Sequence, residues 1–138
     1  METFTHERLD VYRAAIEHLV LADRVAGELP KGRAYIADQL RRAALSIANN
    51  IAEGAGEFAA ADKARFYRMA RRSGTECASI LYACRSLALA DVEQLDAARA
   101  ILDRVVAMLT GLVKRHRTSD GDADGDADAR RARRCDQS

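Results

Sequence analysis

The chain has 138 residues, a formal net charge of +1, 49% hydrophobic residues, one proline and no tryptophan. That length suits one domain with a real core, and the alanine-rich, proline-poor texture favours an all-helical protein. No segment reaches the roughly 18 apolar residues that a bilayer span needs, and the start Met-Glu-Thr-Phe-Thr-His-Glu lacks the basic and apolar blocks of a signal peptide; a cytoplasmic protein with no membrane partner is expected.

In chain order, Leu9, Tyr12, Ile16, Leu19, Asp23 and Ala26 recur at steps of three and four. They predict a first helix from about Leu9 to Glu28, its apolar stripe interrupted by Asp23. Pro30 and Gly32 break the chain, and so short a connection usually returns an antiparallel neighbour.

A second helix is predicted from about Arg33 to Ala52, stopping at Gly54 with Gly56 prolonging the break. Ile36, Leu40, Ala43, Ala44, Ile47 and Ile51 make its apolar stripe. Gln39, Arg42, Ser46, Asn50 and Glu53 make a second, hydrogen-bonding stripe beside it. Short side chains such as Ser46 and Asn50 next to a core seam suggest a polar interface with another helix or subunit, where each group must find a partner. Arg42 is expected to pair with Glu53 or Glu76, and Arg41 to face solvent. Glu53 sits badly against the dipole at the helix end, so an arginine from another helix is its expected partner.

The third helix is the longest, predicted from about Ala60 to Leu89, with a heptad seam through Phe66, Ala70, Ser73, Cys77, Ile80, Cys84 and Leu87. Asp91 with Gln94 resembles a capping box that opens a fourth helix reaching about Arg117. Leu95, Ala98, Leu102, Val105, Leu109 and Leu112 form its seam, widened by Ile101, Val106, Met108 and Val113. That width suits either the most central helix of a bundle or one that is buried in an oligomer. Four helices with short links imply an antiparallel up-and-down four-helix bundle over residues 1–117.

Residues 118–138 change character. Asp-Gly-Asp-Ala-Asp-Gly-Asp-Ala-Asp and then Arg-Arg-Ala-Arg-Arg carry opposed charges without apolar periodicity, so a disordered tail is expected. The acidic run imitates the start of a calcium loop at Asp120, Asp122, Asp124 and Gly125. Its twelfth position is Arg131 rather than the bidentate glutamate, which argues against calcium.

No constellation of an enzyme emerges. His6, His18 and His116 lack ligand or base partners at useful spacing and are expected at the surface. Ser73 and Cys77 share a helix face without a histidine nearby, and no second acid accompanies Glu53. Neither a metal nor a cofactor is expected. The three cysteines have no metal or redox spacing and fit a reducing compartment: Cys77 and Cys84 read as small core residues, Cys135 as a free thiol in the tail.

The arginines make the better functional case. Of 22 basic residues 19 are arginine, and residues 1–117 carry 18 basic against 15 acidic side chains. Arginine is the side chain suited to bidentate phosphate contact. On the third helix Arg65, Arg68 and Arg72 fall within about 60 degrees of one another, at about 100 degrees per residue, while Arg71 points elsewhere. With Arg41, they are the candidate nucleic-acid-binding residues.

Three blocks also carry a resemblance. Gln39 to Gly54 reads Gln-Leu-Arg-Arg-Ala-Ala-Leu-Ser-Ile-Ala-Asn-Asn-Ile-Ala-Glu-Gly, Leu9 to Tyr12 opens the first helix, and Phe66 to Glu76 reads Phe-Tyr-Arg-Met-Ala-Arg-Arg-Ser-Gly-Thr-Glu. Together with the turn at Leu29-Pro30, these resemble the four-helix-bundle proteins encoded in intervening sequences of bacterial 23S ribosomal RNA genes, over roughly Phe4 to Arg117. The resemblance implies a homo-oligomer, a pentameric barrel with a central channel. It also implies kinship with the accessory variability proteins of diversity-generating retroelements, similar bundles that bind nucleic acid and a reverse transcriptase. The expected function is therefore a non-enzymatic oligomeric scaffold that binds structured RNA or DNA through its arginines. The alternative is an interaction module that docks a partner protein such as a reverse transcriptase through the polar seam Gln39, Arg42, Ser46, Asn50 and Glu53.

Overall fold

A computed structural model describes residues 4–117. After a short 3-10 turn at Thr5–Arg8 come four helices: α1 (Asp10–Glu28), α2 (Ala34–Gly56), α3 (Ala60–Ser86) and α4 (Val92–Arg115), with no strand among the described residues. Contacts run α1 to α2, α2 to α3, α3 to α4 and α4 back to α1. The four helices thus form a closed square, each antiparallel to its neighbours. The expectations placed on residues 118–138, the disordered tail and the calcium-like run, lie outside the described residues.

The connections follow from local chemistry. Leu29 is extended (φ −66°, ψ 143°), as a residue before proline must be, and this ends α1. Past Pro30 one 3-10 turn, closed by Arg33 N–H donating to Pro30 O at 2.8 Å, leads into α2. At the end of α3, Leu89 N–H donates to Cys84 O at 2.9 Å and Ala88 N–H to Arg85 O at 3.0 Å. This is a Schellman closure with Ala88 in the left-handed region, φ 52°. It stops α3 at Ser86, three residues short of the predicted end. The capping box predicted for α4 does not form. Asp91 accepts from Glu93 N–H at 3.2 Å, while the Gln94 amide donates to Glu28 Oε1 at 2.8 Å and ties α4 to the end of α1.

Large aliphatic side chains from α2 and α4 fill the core. Leu40, Ile47, Ile51, Leu102 and Leu109 are fully buried, each contributing about 1.5–3 kcal/mol. All ten residues predicted for the α4 stripe face the core or pack partly against it: Leu95, Ala98, Ile101, Leu102, Val105, Leu109 and Val113 are buried, and Val106, Met108 and Leu112 are half-buried. The stripe's width is therefore used inside the protomer.

Two stripes are rotated from their predicted phase. On α1 the buried set is Val11, Ala14, Ala15, His18, Ala22, Val25 and Ala26, with Tyr12, Ile16 and Leu19 at its margin. On α3 it is Ala64, Tyr67, Ala70, Gly74, Cys77, Leu81 and Cys84, while Phe66, Ser73 and Ile80 are half-buried and Leu87 is exposed. Alanine, glycine and cysteine have little hydrophobic weight, so periodicity followed the larger residues one position away.

The small residues serve close approach. Gly54 does not end α2, which continues to Gly56; it is a contact point, since a Cβ there would meet Tyr67 Cε1 at 2.8 Å. Two turns further along the same face of α3, a Cβ on Gly74 would meet Val106 Cγ2 of α4 at 3.0 Å. Helix α3 is thus drawn in against both neighbours at positions where side chains are missing.

Candidate nucleic-acid interface

With Tyr67, Ala70 and Gly74 turned into the core, α3 must present the opposite side to solvent, and that side carries Arg65, Arg68 and Arg72, all exposed. Among the described residues the ion pairs are Arg13–Asp10, Arg41–Asp23, Arg85–Asp96 and Arg99–Asp103, and none involves these three arginines. Arg65 lies over the Phe66 ring, 4.7 Å from its centroid, an arrangement that steadies the guanidinium without neutralising it. The result is a row of charge with open hydrogen-bond capacity.

Arg41 does not join that row. It is exposed, as expected, but not unpaired: its Nε donates to Asp23 Oδ1 at 2.9 Å across the α1–α2 seam. The same pair explains why Asp23 breaks the apolar stripe of α1. Such exposed pairs are worth about 0–1 kcal/mol, enough to orient the side chain.

The polar stripe of α2 divides in two. Ser46 Oγ and Ser73 Oγ lie 2.9 Å apart across the α2–α3 seam. The Asn50 amide donates to Ser46 O at 2.9 Å and to Ser46 Oγ at 3.1 Å. These half-buried groups satisfy one another inside the protomer. Gln39, Arg42 and Glu53 are exposed, and Arg42 pairs with neither Glu53 nor Glu76 among the described residues. The partner predicted for Glu53 is also corrected: what answers the negative end of α2 is Lys63, whose Nζ donates to Gly54 O at 3.2 Å and Ala55 O at 3.1 Å.

Chain reversal adds basic residues that the sequence pattern did not connect with α3. The rings of Tyr67 and His116 are 5.8 Å apart, so the end of α4, with Lys114, Arg115 and Arg117, lies beside the start of α3. Partial burial, then the charges of Lys63 and Arg115, hold the His116 imidazole below its usual range. About fifty positions separate the two segments, and only the antiparallel closure brings them together.

The described histidines and cysteines form no reactive cluster. His18, expected at the surface, is 0% exposed; neither ring nitrogen has a partner, and burial pushes its pKa down to about 4. Burial, with some help from Glu76, pushes the Cys77 thiol up to about 12, and burial also raises Cys84; both are unpaired core thiols with little thiolate character. His6 stacks on Phe4 and meets Tyr12 edge-to-face. Among the described residues no group of three or more His, Cys, Asp or Glu converges as a metal site would require. No described helix is long and apolar enough to cross a membrane.

The family model described as 23S rRNA-intervening sequence protein matches residues 7–111, which takes in all of α1, α2 and α3 and most of α4. The chain belongs to this family. No curated protein gives a significant match. Within this intervening-sequence bundle, the matched region contains Arg65, Arg68 and Arg72, while Arg115, Arg117 and the tail fall beyond it.

Proposed function

We propose that this protein is a non-enzymatic, oligomeric scaffold that binds nucleic acid, structured RNA or DNA, through the arginine face of α3. The observation that carries this reading is the exposure of Arg65, Arg68 and Arg72 on one side of one helix with no carboxylate paired to them among the described residues. Guanidinium groups offered to solvent in a row contact phosphates by charge and hydrogen bonding, and each contact releases condensed counterions. The neighbouring cations at the end of α4 extend the field. Tyr82 is exposed but lies far along α3 from these arginines, and three guanidiniums on one helix face suit recognition of backbone rather than of sequence.

The family resemblance suggests the rest of the proposal: a homopentameric ring in the cytoplasm, akin to the accessory variability proteins of diversity-generating retroelements. A ring repeats the arginine face around an axis, and affinity grows steeply with the number of phosphate contacts. Docking of a partner protein on the α2–α3 flank is the second reading. It is favoured by exposed Leu45 and Met69 beside Gln39, Arg42 and Glu53; the mutual satisfaction of Ser46, Asn50 and Ser73 weakens it.

The test is retention of RNA and duplex DNA at low and moderate salt by the wild type and by the variant carrying Arg65→Glu, Arg68→Glu and Arg72→Glu. Salt-sensitive binding that the triple variant loses supports the assignment. Unchanged binding removes it. Capture of one specific protein that survives nuclease and high salt supports the second reading, and mass measurement in solution decides the ring.

A further inference from the structure

The arginine face has a candidate occupant within the same chain. Three residues beyond Arg117 begins Asp120-Gly-Asp-Ala-Asp-Gly-Asp-Ala-Asp128, an aspartate at every second position over nine residues. The chain leaves the bundle at Arg117, immediately after His116, which lies against Tyr67 on α3. Arg65, Arg68 and Arg72 therefore stand within one to two turns of that level, about 8 Å along the helix axis at most. Asp128 lies eleven positions beyond Arg117, and such a segment spans up to about 36 Å. Every one of the three arginines is in reach of the acidic run.

We propose that the acidic run 120–128 docks on the arginine face formed by Arg65, Arg68 and Arg72 and competes there with nucleic acid. Charge complementarity selects this occupant: five carboxylates meet three guanidiniums that are unpaired among the described residues, on a bundle whose residues 1–117 carry a surplus of three positive charges. Alternate positions lie on one side of an extended chain, about 7 Å apart, close to the rise between Arg68 and Arg72, about 6 Å. A short tether supplies a local concentration on the order of millimolar, so individually weak exposed pairs add up. The Arg-Arg-Ala-Arg-Arg block that follows would be released toward solvent when the acidic run is seated, and would be a second contact for a polyanion that displaces it. This inference rests on the nucleic-acid reading for the competition, but not for the docking itself.

The experiment uses the full chain. A nitroxide attached at Cys135 reports on the tail, because Cys77 and Cys84 are fully buried and unreactive. Paramagnetic broadening concentrated on the α3 amides around residues 65–72, lost when Asp120, Asp122, Asp124, Asp126 and Asp128 are all changed to Asn, supports docking. Broadening elsewhere, or broadening that survives the Asn substitutions, overturns it; the first pattern is what pairing of the acidic run with its own basic block would give. In the competition arm, a structured RNA should bind the Asn variant about fivefold more tightly than the wild type at low salt. That gain should vanish when Arg65, Arg68 and Arg72 are Gln. A gain of the same size in the Gln background would mean that net charge alone is responsible and would overturn competition. If neither chain binds RNA, the proposed function falls while the broadening still decides the docking.

Discussion

Gly54 and Tyr67 touch where α2 leaves no room for a side chain: a Cβ on Gly54 would lie 2.8 Å from Tyr67 Cε1 and 3.2 Å from Phe66 Cβ. The buried ring of Tyr67 occupies the space that a side chain on α2 would need, and Lys63 caps the carbonyls of the same turn. The approach of α2 to α3, and with it the outward orientation of the arginine face, is anchored there.

Gly54→Ala should therefore destabilise. Overpacking costs about 1–3 kcal/mol and the better helix propensity of alanine returns up to about 1 kcal/mol, leaving a net loss near 1 kcal/mol. Gly111→Ala, on α4 with open space around its Cβ, should gain about 0.5–1 kcal/mol. Urea midpoints moving in opposite directions for the two variants check the pair; a shared gain would show that Tyr67 yields easily.

Ala88 holds a left-handed conformation that glycine adopts without strain. Ala88→Gly is expected to stabilise the bundle by about 1 kcal/mol, read as a raised midpoint in thermal unfolding. A fall in stability would mean that the Ala88 methyl packs usefully.

His18 links stability to pH. Its pKa is about 4 in the fold, against about 6.5 when unfolded, so between these values the unfolded chain binds more protons. Stability from this group is complete above about pH 6.5 and is lost as pH falls toward 4, by roughly 3 kcal/mol in all. His18→Leu should flatten the pH dependence of the urea midpoint in that window. An unchanged slope would show that other groups carry it.

The Ser46–Ser73 bond is a double-mutant-cycle target. Ser46→Ala and Ser73→Ala together should show a coupling of about 1 kcal/mol. No coupling would mean that each hydroxyl is served equally well by its own helix, as Ser73 can be through Met69 O at 3.3 Å.

The helices were legible from local features. Pro30 marked the end of α1, the Ile47 and Ile51 row marked the buried side of α2, and Asp91 marked the start of α4. Where the core is lined by alanine, glycine and cysteine, hydrophobic periodicity lost its contrast, and the phases of α1 and α3 shifted by one position. Gly54 looked like a stop because glycine usually ends helices; that it makes room for Tyr67 is a fact about a second helix. His18 looked like a surface residue because nothing near it in sequence shows that α1 turns that position inward.

The amino-acid sequence by itself determined the class of fold, the order of the elements and the shared angular sector of Arg65, Arg68 and Arg72, because these depend on interactions within a few residues. Tertiary structure alone decided which arginines are already engaged, as Arg41 is by Asp23, which polar groups satisfy one another, as Ser46 and Ser73 do, and that the end of α4 lies beside the start of α3. The reason is that pairing across helices depends on axial register and rotation between segments distant in sequence. Those are set by the packing of the whole core, which no local pattern records.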